Sequence, residues 1–264
     1  MDYNLFLKTL WSFYEEHGRN DMPWRSDTSM YAITVSELML QQTQVPRVIP
    51  KFIEFTTLFP DFKTLAEAPQ ANVLRAWQGL GYNRRARYLH QAAQHIVHEW
   101  NYQIPNDQKK LTQLPGVGKN TAGAMCAYVF NAPVVYIETN IRTVYLHHFF
   151  SGQTNISDAH LMPHIKATLD EKNPRQFYWA LMDYGAFLKK LHPNPSRNSK
   201  HYAKQSQFEG SLRQVRSRVL KQLITSSMTY QQLKQRVNDD RIDQVLVDLQ
   251  KDQLIQKSGQ RYSA

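Results

Sequence analysis

The chain has 264 residues, room for two domains or for one large domain with a small appendage. Hydrophobic residues make up 42%, enough for an ordinary core, and a net charge of +10 favours an anionic partner, nucleic acid before membrane. A single cysteine, Cys126, excludes a disulfide framework and a cysteine-based metal site and fits a reducing cytoplasm.

The N-terminal segment "MDYNLFLKTLWSFYEEH" reads as an amphipathic helix with Phe6, Leu10, Phe13 and Tyr14 on one face. It has the pattern of neither a signal peptide nor a membrane span. Further helices are expected after Thr28, Pro46, Asn72 and Arg84, separated by turns at "DMPW", "FPDF", "EAPQ" and "IPND". Strand-like alternation is scarce until the last dozen residues, so the body reads as all-α to about residue 190. The stretch "KKLHPNPSRNSKHYAKQSQ" is then rich in Pro, Asn, Ser and cations, as a basic connector is. Beyond it, three helices and a hairpin about a Ser-Gly turn suggest a small winged-helix domain. Its third helix buries Ile242, Val245, Leu246 and Leu249 and exposes five aspartates against Arg241 and Lys251. A helix that reads the major groove is basic, so this one is assigned to packing or to a partner.

Four stretches carry chemistry. In "SELMLQQTQV" a carboxylate, Glu37, sits inside an apolar helical run, followed by Gln41 and Gln42. "GLGYNRRARYLHQAA" sets Tyr82 between a glycine pair and Arg84, Arg85 and Arg87, a wedge beside phosphate-holding cations. "LPGVGKNTAGA" joins a short helix, about Asp107–Gln113, to an apolar one through Gly116 and Gly118. Backbone N–H groups at such a helix start suit a phosphate. "VVYIETNIRTV" adds a second carboxylate, Glu138, then Asn140 and Arg142. Two acids in apolar settings suggest acid–base or cation-stabilising work, whereas an ion pair between Glu138 and Arg142 is the plain structural alternative.

With "MPWR", these motifs in this order resemble the helix-hairpin-helix DNA glycosylases, and within them the adenine DNA glycosylases of the MutY type, over about residues 4 to 190. The resemblance implies two helical domains, with the six-helix barrel at about 25–131, a second helical domain from 1–24 plus 132–205, and the winged-helix-like domain at 206–264. It implies that Glu37 protonates a flipped base and that Glu138, helped by Asn140, stabilises the sugar cation. Trp24, Arg25, Leu40 and Trp179 would surround the base. Gln41, Gln42 and Tyr82 would enter the duplex, while Arg84, Arg85, Arg87, Gly116, Gly118, Lys119 and Asn120 would contact DNA. The implied partner is double-stranded DNA with a mismatch or lesion, bound by a cytoplasmic, nucleoid-associated monomer without a membrane role.

Four departures qualify that picture. Glu138 stands where the family has Asp. Asn120 stands where strand-cleaving members have a Schiff-base lysine, so a monofunctional enzyme is expected. The four cysteines of the relatives' iron–sulfur cluster are missing, so no such cofactor is expected, although a monovalent cation at the hairpin stays open. Lys189, Lys190, Arg197, Lys200 and Lys204 are expected to hold phosphates in its place. Finally, Trp179 stands where relatives read the adenine edge with Glu or Gln. Adenine opposite 8-oxoguanine or guanine is the expected target. Thymine or uracil opposite guanine, and a non-catalytic lesion-recognition protein, are the alternatives.

Overall fold

The structure, a computed structural model, describes residues 2–190, 193–204 and 207–264. Helices come in the order α1 (Tyr3–His17), α2 (Pro23–Ser26), α3 (Met30–Leu40), α4 (Val45–Leu58), α5 (Phe62–Glu67) and α6 (Gln70–Ala76). Then follow α7 (Arg84–His98), α8 (Gln108–Leu111), α9 (Lys119–Phe130), α10 (Thr139–Phe149), α11 (Asp158–Thr168) and α12 (Pro174–Leu188). After a 3-10 turn, Pro195–Asn198, come α13 (Leu212–Thr225), β1 (Met228–Thr229), α14 (Tyr230–Val237), α15 (Ile242–Lys251), β2 (Gln256–Ser258) and β3 (Arg261–Ser263). The all-α expectation holds: among the described residues no strand precedes β1. The helices expected near residues 28, 46, 72 and 84 are α3, α4, α6 and α7. No described helix is long and apolar enough to cross a membrane.

Contacts divide the chain into two units. The first runs through Glu37, Pro105–Gln113 and from Val117 to Lys204; the second takes Leu38–Ile104, Leu114–Gly116 and the C-terminal segment. This division falls within α3 and within the hairpin, and in the first unit α9 packs on α12. The expected boundary at 205–206 lies outside the described residues.

In the first unit α12 is the central element, packed by α10, α1 and α9. Phe6, Leu10, Tyr145, Phe177 and Tyr178 are fully buried there. Asp183 of α12 is a second organiser. It accepts from Arg25 Nη1 and Nη2 at 2.8 and 2.9 Å and from Arg19 Nε at 2.8 Å, fixing the turn before α2 and α2 itself. Such a bidentate buried pair is strong because both partners are held. Two glycines are required by close approach. A Cβ on Gly185 would fall 2.3 Å from Asn140 O, and one on Gly123 would fall 2.5 Å from Tyr136 Cβ.

In the second unit α5 and α6 pack on α7, and α13 packs on α6 and α15. The C-terminal segment has the helix–strand–helix–helix–hairpin order of a winged helix. Its antiparallel sheet runs β1-β3-β2, with Tyr262 opposite Met228 on one side and Lys257 on the other. Thr229 and Gln232 form the capping box that starts α14. All four apolar residues expected on the third helix are buried in α15. Polar side chains of the preceding helices hold this segment by its main chain: Gln70 Nε2 donates to Gln253 O at 3.0 Å, Arg75 Nη2 to Ile224 O at 3.1 Å and Arg87 Nη1 to Asp252 O at 3.0 Å.

Candidate active site and DNA-binding elements

The first unit brings the two acids together. Glu37, on α3, keeps partial contact with solvent but is enclosed by protein. Burial first, and then the charge of Glu138, push its carboxyl up to about 8. Glu138 is the N-cap of α10, with Oε1 accepting from Asn140 N at 2.5 Å and Ile141 N at 3.1 Å. Burial raises this carboxyl above the usual range, and Lys189, the two backbone bonds and Arg142 moderate the rise. The cap fixes the carboxylate's aim and sets it at the positive end of a helix. Both carboxyls are thus raised by burial, and cationic and backbone partners oppose the rise at Glu138.

The alternative ion pair does not form, since Arg142 is committed to Asp158 at 2.7 and 2.9 Å. The Asn140 side chain does not orient Glu138 either. Its Oδ1 accepts from Lys189 Nζ at 2.6 Å, and its main-chain N–H makes the contact to the acid. Lys189 is thereby withdrawn from the phosphate-binding set. It is half-buried, and desolvation lowers its ammonium while Glu138 supports it.

A tyrosine pair escaped the sequence reading. Tyr136 OH donates to Tyr128 OH at 3.1 Å, over the space that Gly123 leaves. Both hydroxyls are buried, and burial together with the Glu37 charge raises Tyr128 well above its ordinary range. A tyrosine in an apolar helix reads as core; Gly123 five residues earlier was the available signal. The Trp179 ring lies 6.1 Å from that of Tyr128, and the Arg25 guanidinium lies 5.2 Å from the Trp179 centroid. Arg25 is a scaffold residue rather than a base contact, because Asp183 takes both its terminal nitrogens. Trp24 is buried and Leu40 half-buried at the end of α3.

Of the DNA-contact candidates on the first unit, Gly118, Lys119 and Asn120 are exposed where α9 begins. Gly118 is the N-cap and brings no side chain to cap the first N–H groups, the end of a helix that suits an anion. Lys200 and Lys204 are exposed, and the first is anchored through its N–H to Ile156 O at 2.9 Å.

On the second unit, Gln42 and Tyr82 both hold left-handed backbones, at φ 56° and 47°. Such strain is usually kept only where surrounding structure enforces it. Gln41 Nε2 donates to Gly116 O at 3.3 Å, and Gly116 itself needs φ +79° with Tyr88 Cβ 2.8 Å from where its Cβ would be. The three arginines part company. Arg85 is buried, not DNA-facing: it donates to the carbonyls of Leu38, Met39 and Gln41 at 2.6–2.8 Å and to Leu80, Gly81 and Thr43. Desolvation lowers it to about 10. Arg84 lies 3.6 Å from Asp252, and Arg87 bonds to the Asp252 carbonyl and to Gln253.

This helical architecture with paired acids beside a hairpin-led helix is that of a base-excision repair protein. The chain belongs to the HhH-GPD superfamily of base excision DNA repair proteins, whose model matches residues 35–168. It is 34% identical over 198 residues to an adenine DNA glycosylase of Buchnera aphidicola, covering 74% of this chain and 55% of that one. To the adenine DNA glycosylase of Mycolicibacterium smegmatis it is 43% identical over 136 residues, 51% of this chain and 46% of the other. The chain thus spans about half the length of the curated relatives it matches. A thermostable thymine-DNA glycosylase shares the fold at a TM-score of 0.64 and 21% identity, with 73% of this chain and 90% of that one covered. The thiolate set of an iron–sulfur cluster does not fit this chain. Its one cysteine is buried in α9, and residues 189–204 contain none.

Proposed function

We propose that the protein is a monofunctional DNA glycosylase that hydrolyses the bond between deoxyribose and adenine mispaired with 8-oxoguanine or guanine. The observation that carries this reading is Glu37, a carboxyl held up to about 8 in the same unit as Glu138. The neutral carboxyl gives its proton to a ring nitrogen of the departing base, which leaves as a neutral heterocycle. The C–N bond breaks toward the base, and the ionised Glu138 faces the oxocarbenium-like sugar that remains. Water then adds to the anomeric carbon and its proton passes to a carboxylate. Similarity to proteins named adenine DNA glycosylases supports the choice of base. Asn120 offers no amine for a Schiff base, which favours hydrolysis without strand cleavage.

The test is a panel of duplexes carrying each mismatch and common lesion, assayed for abasic sites, with borohydride present in one arm. Product is expected for adenine opposite 8-oxoguanine or guanine, with strand breaks only after alkali and no trapped adduct. Excision of thymine or uracil alone would reassign the base and make Trp179 the residue to explain. Tight binding with no product on any duplex would turn the protein into a lesion-recognition factor.

A further inference from the structure

The second unit contains a cleft of about 1900 Å³ whose two walls come from distant parts of the chain. One wall holds Arg47, Gln42 and Tyr82; the other holds Phe208 and the α13 face that presents Arg213, Ser217 and Lys221. These α13 residues recur every four positions, as one face of a helix must. The volume exceeds the roughly 300–1,000 Å³ of small-molecule sites, which suits a polymer. Besides the buried Arg85, seven cations line it against two carboxylates, Asp248 and Asp252. Both carboxylates are answered within the unit: Arg216 contacts each of them and Arg84 lies 3.6 Å from Asp252. Arg47 and Lys221 have no carboxylate partner among the described residues. Phe208 is 52% exposed, an apolar plane left open in a basic setting. Arg213 Nη1 donates to Tyr82 OH at 2.5 Å, so the strained tyrosine is held from the C-terminal side.

We propose that this cleft binds the DNA strand that keeps the unpaired base, with α13 and Phe208 supplying half of the site. The inference rests on the glycosylase reading, in which a base leaves the duplex and its partner is orphaned. Cations along a groove track phosphates, and an exposed aromatic stacks a base whatever its identity. Neither Glu37 nor Glu138 lines the cleft, so a strand lying here is held and not cut at its sugar. The winged helix is thus used in an unusual sense. Its third helix meets Arg84 of α7 through Asp252 and its own first helix through Asp248 and Asp252, and that first helix faces the nucleic acid.

The test uses the full chain and a duplex with adenine opposite 8-oxoguanine, labelled on either strand. Lys221→Glu and Phe208→Ala should each weaken binding about tenfold, and the charge reversal should also flatten the salt dependence. A photo-crosslinking benzoylphenylalanine at position 208 should attach to the 8-oxoguanine strand, within a nucleotide or two of the lesion. Unchanged affinity and salt slope in Lys221→Glu, or crosslinks only to the adenine strand, would overturn the proposal. Should either variant unfold, the crosslink alone decides. Lack of excision by the wild type, with crosslinking to the 8-oxoguanine strand intact, would instead sink the glycosylase reading and leave the cleft assignment standing.

Discussion

On the proposed reading, Glu37 couples chemistry to stability. Its carboxyl is pushed up from 4.5 to about 8, so the folded chain binds a proton that the unfolded chain releases between those values. The linkage therefore lowers stability as pH rises from about 4.5 to 8, by roughly 1.4 kcal/mol per unit at most. Glu37→Gln should raise the melting temperature more at pH 8 than at pH 5. The same change should cut single-turnover excision on the order of a hundredfold or more, with duplex affinity nearly kept. A variant within tenfold of wild type would remove Glu37 from the acid's role. In the wild type, rate should fall on the alkaline side near pH 8 as Glu37 ionises. The acid limb should report Glu138, whose ionisation Lys189 assists. Lys189→Met should raise the Glu138 carboxyl further and move that limb to higher pH, and Lys189→Arg should restore it. An unmoved limb would reduce Lys189 to a partner of Asn140. The burial of both acids was legible in the sequence because each carboxylate stands beside or inside an apolar run. Tyr128 was not, because its hydroxyl matters only through a partner eight residues away, which Gly123 hints at but does not name.

Elements turn on Arg85 and the N-terminus of α10. The carbonyls that Arg85 gathers are those left open where α3 ends, so one guanidinium caps the helix that carries Glu37. Arg85→Ala should cost about 3 kcal/mol or more, since several buried acceptors lose a charged donor together. Thermal unfolding with a shift of no more than a degree would contradict that role. In "NRRAR" the three arginines look equivalent. The helical period separates them, because Arg85 falls in line with buried Leu89, Ala92 and Ile96 on α7. Helix starts were readable from prolines and capping residues, whereas β1 was not, being two residues long and defined only by pairing with β3. At α10, the contact of Gly185 with Asn140 sets how near α12 can come to the turn that aims Glu138. Gly185→Ala should lower the excision rate at least tenfold while leaving Lys119 and Asn120 free to bind DNA; normal turnover would show that the turn can yield.

For the whole molecule, the net charge of +10 predicts DNA binding that weakens steeply with salt. Charge reversal at Lys200 and Lys204 should lower affinity for all duplexes alike and reduce the log–log slope by about one per site. A lesion-selective loss would mean base readout by that segment. The purified protein should be colourless and contain no stoichiometric iron, as a chain without the thiolates requires. The division into units was the least legible property, because it depends on which distant helices share a face and cuts through α3 and the hairpin, where local signals are continuous. One further consequence concerns inheritance. Gln70, Arg75 and Arg87 hold the C-terminal segment by the carbonyls of residues 253, 224 and 252, groups that every amino acid supplies. Substitutions in that segment leave these three bonds in place, so outside Arg213, Asp252 and Gln253, whose side chains also meet the body, its sequence is free to drift while the joint persists. The constraint falls instead on three side chains of the body, and kinship among such proteins would be traced by those long after their tails had ceased to look alike.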